Sequence, residues 1–250
     1  MQDLKGTREA RTPLAAIIAL TLLSLYLADQ PLVYLLLTPV RFFTTNLHEL
    51  GHAVSCVATG GHVAGMTIVS DGDGHGGLTF CSGGWEFLVN QMGYLGTALM
   101  GCLMLWLASY PKIARSLLFG LGFVLAVGAV VFITPALTDP KYAGQAALSL
   151  LYALAGAGAL AAMAHWGHLL MVQFTVLFLA IQTALNALTD TFYLVKIELG
   201  LTGAHSFSDA TNQAALTGFP AAFWSLLWGG LACFMLASTI KQVYGRSNKS

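Results

Sequence analysis

The segment TTNLHELGHAVSCVATGG, residues 44–61, decides how this chain is read. His48 and His52 are four apart, so on a helix both imidazoles leave the same face one turn from each other and can grip one metal ion. Glu49 sits beside them as a candidate general base. Neutral imidazole suits zinc, and a catalytic zinc site takes three protein ligands and keeps a position open for water. The spacing alone is common by chance. Its setting is not: Phe42, Phe43, Leu47, Val54, Val57 and Ala58 place it in an apolar helix, where two imidazoles and a carboxylate are costly to bury unless something binds them.

Outward from that segment, the chain is 56% hydrophobic and 9% charged over 250 residues. A soluble domain carries about a quarter charged residues, so the expectation is an all-α polytopic membrane protein, one integral membrane domain over residues 1–250, in the lipid bilayer of a bacterial inner (cell) membrane. Net charge is zero and there is no basic run, which argues against a nucleic-acid partner. Cys56, Cys81, Cys102 and Cys233 lie far apart with no CxxC pair, and read as packing residues rather than a disulfide framework. Residues 1–13 carry Lys5, Arg8 and Arg11 ahead of an apolar run with no convincing cleavage site, which reads as a tail before a retained anchor.

Residues 14–28 are apolar, and Asp29-Gln30-Pro31 then marks a helix start. Two divisions fit: a span near 14–28 followed by a helix from 31 to 58 kinked at Pro39, or spans near 14–37 and 40–58. After Gly60-Gly61, residues 62–84 alternate in polarity around DGDGHGG, the pattern of a β-hairpin. Open strand edges are excluded from lipid, so the hairpin must lie at the interface or in a cavity near the metal. Asp71, Asp73 and His75 in its tip read as a solvated turn. Apolar helices follow near 86–109, 114–134, 146–164, 168–195 and 221–243, giving six or seven spans and a tail at 244–250. Asn90, Gly93, Gly96, Thr97 and Gly101 form a small-residue stripe suited to close packing against the HELGH helix, with Asn90 as a polar group that could aim at the site. The positive-inside rule puts Lys112 and Arg115, the C-terminal basic residues and the N-terminal tail on the cytoplasmic face, a set that an odd number of early spans cannot satisfy.

A later helix must supply the third ligand. Asp190, in QTALNALTDTFYLV, is an acid inside an apolar span, where insertion scales charge about 2.5–3.5 kcal/mol, and Asn186 one turn earlier could orient it. Asp209 is the alternative, although Ser206-Phe207-Ser208-Asp209 also reads as the cap of a short amphipathic helix. Asp139 suits a Pro-flanked turn, His165 and His168 suit the membrane edge, and His205 lies in a polar connector.

With HELGHA, the strand pair, GGW and GYLG, NALTD, SDA, TGFPA and WSLLWG in view, nearly the whole chain resembles the site-2-protease family of intramembrane zinc metallopeptidases, and more closely its peptidase M-50-B-like branch. In place of the family's NxxPxxxxDG segment the chain carries NALTD, without proline. The resemblance implies one Zn2+ per chain held by His48, His52 and Asp190, Glu49 as catalytic base, and a membrane protein or peptide as substrate; self-association is left open. The expected activity is peptide-bond hydrolysis, with Glu49 moving the water proton to the leaving amine. The rival expectation is a non-catalytic metal-binding scaffold or partner-binding subunit.

Overall fold

The computed structural model describes residues 30–69, 76–200 and 208–246. The proposed span near 14–28, the hairpin tip with Asp71, Asp73 and His75, and His205 lie outside the described residues.

Helix α1 runs unbroken over Pro31–Ala58, so the first of the two divisions of residues 31–58 is the one adopted, with Pro39 inside the helix. Pro31 opens it, because a fixed φ suits the first turn and the missing N–H has no intrahelical partner there. Strands β1 (His62–Thr67) and β2 (Leu78–Ser82) pair antiparallel, with Met66 opposite Thr79 and a bulge between Val63 and Gly65. Helices α2 (Glu86–Met92) and α3 (Tyr94–Ala108) form a bent pair at 49° broken at Gly93. Helix α4 (Ala114–Gly128) continues as a wide π turn over Ala129–Ile133 and a tight 3-10 turn over Thr134–Thr138, where Pro135 removes a ladder donor. Then come α5 (Ala143–Trp166), α6 (Leu169–Glu198), the short α7 (Asp209–Thr217) and α8 (Ala221–Arg246).

Among the described residues four helical stretches are long and apolar enough to cross a membrane: α4 with its continuation, α5, α6 and α8. The bent pair α2–α3 makes a fifth where it is counted as one broken span rather than a re-entrant loop. This is the all-α, multi-pass architecture the composition implied, with fewer such spans among the described residues than the six or seven expected. Phe123, Leu151 and Phe234 are 70%, 61% and 69% exposed, which suits a lipid-facing surface and would burden a soluble one.

One interior cluster joins Phe43 and Leu47 of α1 to Met104 and Leu105 of α3, Leu118 of α4 and Val172 and Val176 of α6. A second packs Leu50, Ala53 and Cys56 of α1 against β1 and the Ala129–Ala136 stretch. α1 is thus clamped on both sides of its HELGH turn.

The cysteine expectation is overturned for one pair. Cys56 and Cys81 form a disulfide, Cα–Cα 6.1 Å, that fastens β2 to the end of α1. The two are 25 residues apart, and only the return of the hairpin across α1 brings them together, so their spacing carried no sign of it. Cys102 and Cys233 are free, the first buried.

Candidate metal centre

His48 and His52 project from one face of α1, as their spacing requires, and their Nε2 atoms lie 3.1 Å apart. The carboxylate Oδ2 of Asp209, first residue of α7, is 3.2 Å from each. Three donors around a tetrahedral ion with bonds of about 2.0–2.1 Å would stand about 3.3 Å from one another, so the spacing fits a shared ion closely. The tautomers fit as well. Nδ1 of His52 is 2.7 Å from the Val89 carbonyl oxygen, which only accepts, so this nitrogen carries the proton and leaves Nε2 of neutral His52 as a lone pair aimed at the cluster. A carboxylate oxygen and an imidazole lone pair facing one point call for a cation.

Local packing fixes these groups. Gly51 passes the backbone at Met92 and Gly93 lies against the Nε2 atoms of both histidines; a Cβ at either position would collide. The glycine of HELGH and that of GYLG are therefore needed for α1 to approach the α2–α3 break. Tyr94 meets the His48 ring edge-on, with centroids 4.6 Å apart, and stacks on Trp228 of α8. Glu49 is buried, and the hydroxyl of Thr79 in β2 donates to its Oε2 at 2.7 Å.

Asp209 is positioned from two directions. Ser208 caps α7 reciprocally with Thr211, as its sequence suggested, which sets the first residue of the helix. One turn on, fully buried Gln213 accepts from Asn90 Nδ2 at 3.1 Å and so ties α7 to α2. Asn90 lines the same cavity as the histidines, and its side-chain amide is bonded to α7.

Asp190 is not part of the cluster formed by His48, His52 and Asp209. It lines the same cavity, about 1590 Å³ in volume, and its Oδ2 accepts from Asn186 Nδ2 at 2.7 Å. The pairing of Asn186 with Asp190 is the one expected, but the place beside the imidazoles is taken by Asp209. Of the small-residue stripe, Gly93 and Gly96 face α1 whereas Gly101 meets Ala184 of α6, so the stripe packs on two partners. Asp139 accepts from the Lys141 N–H in a turn, and His165 and His168 are exposed, as their bland readings held.

Thr79, Tyr94 and Gln213 were not found from sequence. Tyr94 lies in the GYLG stretch already singled out, whereas nothing in the alternation of the hairpin distinguishes Thr79 from its neighbours. No curated protein sequence and no solved structure matches the chain. The model of the family described as Peptidase M50B-like does match, over residues 14–239, and with the HELGH helix and its metal-ready cluster in place the chain belongs to that family.

Proposed function

We propose that this protein is a zinc-dependent endopeptidase embedded in the membrane, hydrolysing peptide bonds of membrane-protein substrates. The single observation that carries the reading is the convergence of His48 Nε2, His52 Nε2 and Asp209 Oδ2 to within 3.2 Å of one another beside a buried glutamate. In this reading His48, His52 and Asp209 hold the ion. When bound, zinc supplies Lewis acidity, lowering the pKa of water at the site and polarising the scissile carbonyl. Glu49 accepts the proton of the attacking water and delivers it to the leaving amine. Thr79 holds the Glu49 carboxylate in one orientation through this exchange.

β2 has no strand on its other side among the described residues, and its Leu78, Thr79 and Cys81 line the cavity. An extended substrate could add there through main-chain hydrogen bonds, which would keep its carbonyl open to attack. With α1 also crossing the bilayer, the spans among the described residues would number six, within the six or seven expected.

Cleavage of a labelled transmembrane peptide by purified protein, measured alongside zinc content, tests the reading. Glu49→Gln keeps the metal and abolishes cleavage, and His48→Ala loses both. A Glu49→Gln protein that cleaves at the original rate removes the mechanism, and metal retained by wild type without any cleavage favours the scaffold.

A further inference from the structure

The described helices alternate between two faces of the molecule, and side-chain contacts identify which ends share a face. On one, Phe80 of the hairpin meets Tyr142 with centroids 4.4 Å apart, the Ile68 N–H donates to Ser149 Oγ at 2.8 Å, and Gln213 of α7 reaches the Phe87 carbonyl. On the other, the Arg115 guanidinium donates to the carbonyls of Ala164 and Gly167, joining the loop before α4 to the turn between α5 and α6. Leu236 and Ile240 of α8 pack on the interior cluster that includes Ala114 and Ala164, which places the C-terminal end of α8 there.

The metal cluster is not midway between the faces. Gly93, under the two histidines, is seven residues from the start of α2, and Trp228, stacked on Tyr94, is seven from the start of α8. At about 1.5 Å per residue this is about 10 Å below the hairpin face, with the greater part of each span on the far side.

Two independent chemical signals orient the faces. The far face carries Lys112, Arg115 and Lys241 with no acid in residues 109–116, 164–170 or 240–246, whereas the hairpin face carries Glu86, Asp139 and Glu198 with Lys141 and Lys196. The excess of basic residues marks the far face as cytoplasmic. The Cys56–Cys81 disulfide lies on the hairpin face, and disulfides persist in oxidising compartments outside the cytosol. Charge and redox chemistry share no assumption and agree.

From this we infer that the metal centre is approached from the non-cytoplasmic, oxidising face, and that its substrates are membrane-protein segments presenting an extended backbone in the outer third of the bilayer on that side. The substrate half rests on the peptidase reading above; the orientation does not.

The test uses the full chain in spheroplasts of a bacterial host, with Cys102→Ser and Cys233→Ser as background and Cys56 and Cys81 kept. Single cysteines are placed in exposed turns on the two faces, Pro140→Cys beside the hairpin and Ser109→Cys on the far side. A membrane-impermeant maleimide is expected to label position 140 in intact spheroplasts and position 109 only after permeabilisation. In parallel, Cys56 and Cys81 of the background protein, denatured without reductant, are expected to resist alkylation until dithiothreitol is added. Labelling of 109 and protection of 140 in intact spheroplasts overturns the inference, as do freely alkylated Cys56 and Cys81. Neither readout requires proteolysis, so a reversed orientation leaves the peptidase reading standing, and absence of cleavage leaves the orientation standing.

Discussion

Thr79→Val removes the hydroxyl that donates to Glu49 Oε2 at 2.7 Å while leaving a side chain of nearly the same shape on β2. A hydrogen bond to a charged group contributes about 1.5–3 kcal/mol. If all of it serves to hold the carboxylate in line with the attacking water, the loss in rate is about tenfold to a hundredfold at about 1.36 kcal/mol per decade. The assay is steady-state cleavage of a labelled transmembrane peptide in detergent or nanodiscs, with zinc content and thermal stability measured on the same preparation. The expected result is a fall in kcat with KM and zinc content near wild type, because Thr79 touches the base and none of the three cluster donors. Thr79→Ser, which restores the hydroxyl, should recover most of the rate. A Thr79→Val protein with unchanged kcat refutes the reasoning, and one whose loss is matched by loss of zinc or of folding shows that the strand, rather than the hydrogen bond, is what matters.

Two further substitutions separate positions by geometry. Asp209→Asn should weaken zinc binding by more than the roughly 10- to 100-fold typical of an outer-shell change, whereas Asp190→Asn, outside the cluster and hydrogen-bonded to Asn186, should weaken it by less than about tenfold; competition with a zinc-responsive chelator reads both. Gly93→Ala drives a methyl group into the Nε2 atoms of His48 and His52 and should empty the site of zinc with helicity retained, while Gly120→Ala, facing open space, should leave zinc content unchanged. Inductively coupled plasma mass spectrometry on the purified proteins checks both outcomes.

What the sequence revealed follows the range of the interactions. His48, Glu49 and His52 are set by one turn of one helix, so their spacing was sufficient to read them. The hairpin was legible because period-two alternation and a Gly-Asp turn are local as well. A helix cap within residues 206–209 was legible for the same reason. Hydropathy favours Asp190 over Asp209 because it registers burial only along the chain: an acid within an apolar span is visibly costly, but an acid in a polar connector gives no sign that α7 will fold back against α2 and bring its first residue to the histidines. The Asn90–Gln213 bond that ties α7 to α2 joins residues 123 apart, beyond the reach of any local pattern. The Cys56–Cys81 bridge and the Thr79–Glu49 bond likewise arise only once the hairpin crosses α1. The π turn over Ala129–Ile133 falls within the apolar run near 114–134, since hydropathy does not record how a helix loosens ahead of Pro135.

The most direct measurement of the central claim is zinc K-edge X-ray absorption on the purified, zinc-loaded protein, wild type beside Asp209→Asn. Wild type should bind one ion with two imidazole nitrogens and an oxygen-donor shell at about 2.0–2.2 Å, and no sulfur. The Asp209→Asn spectrum should lose that coordination. A sulfur shell near about 2.3 Å, or a wild-type spectrum unchanged by the substitution, would contradict the assignment of His48, His52 and Asp209 as the metal site.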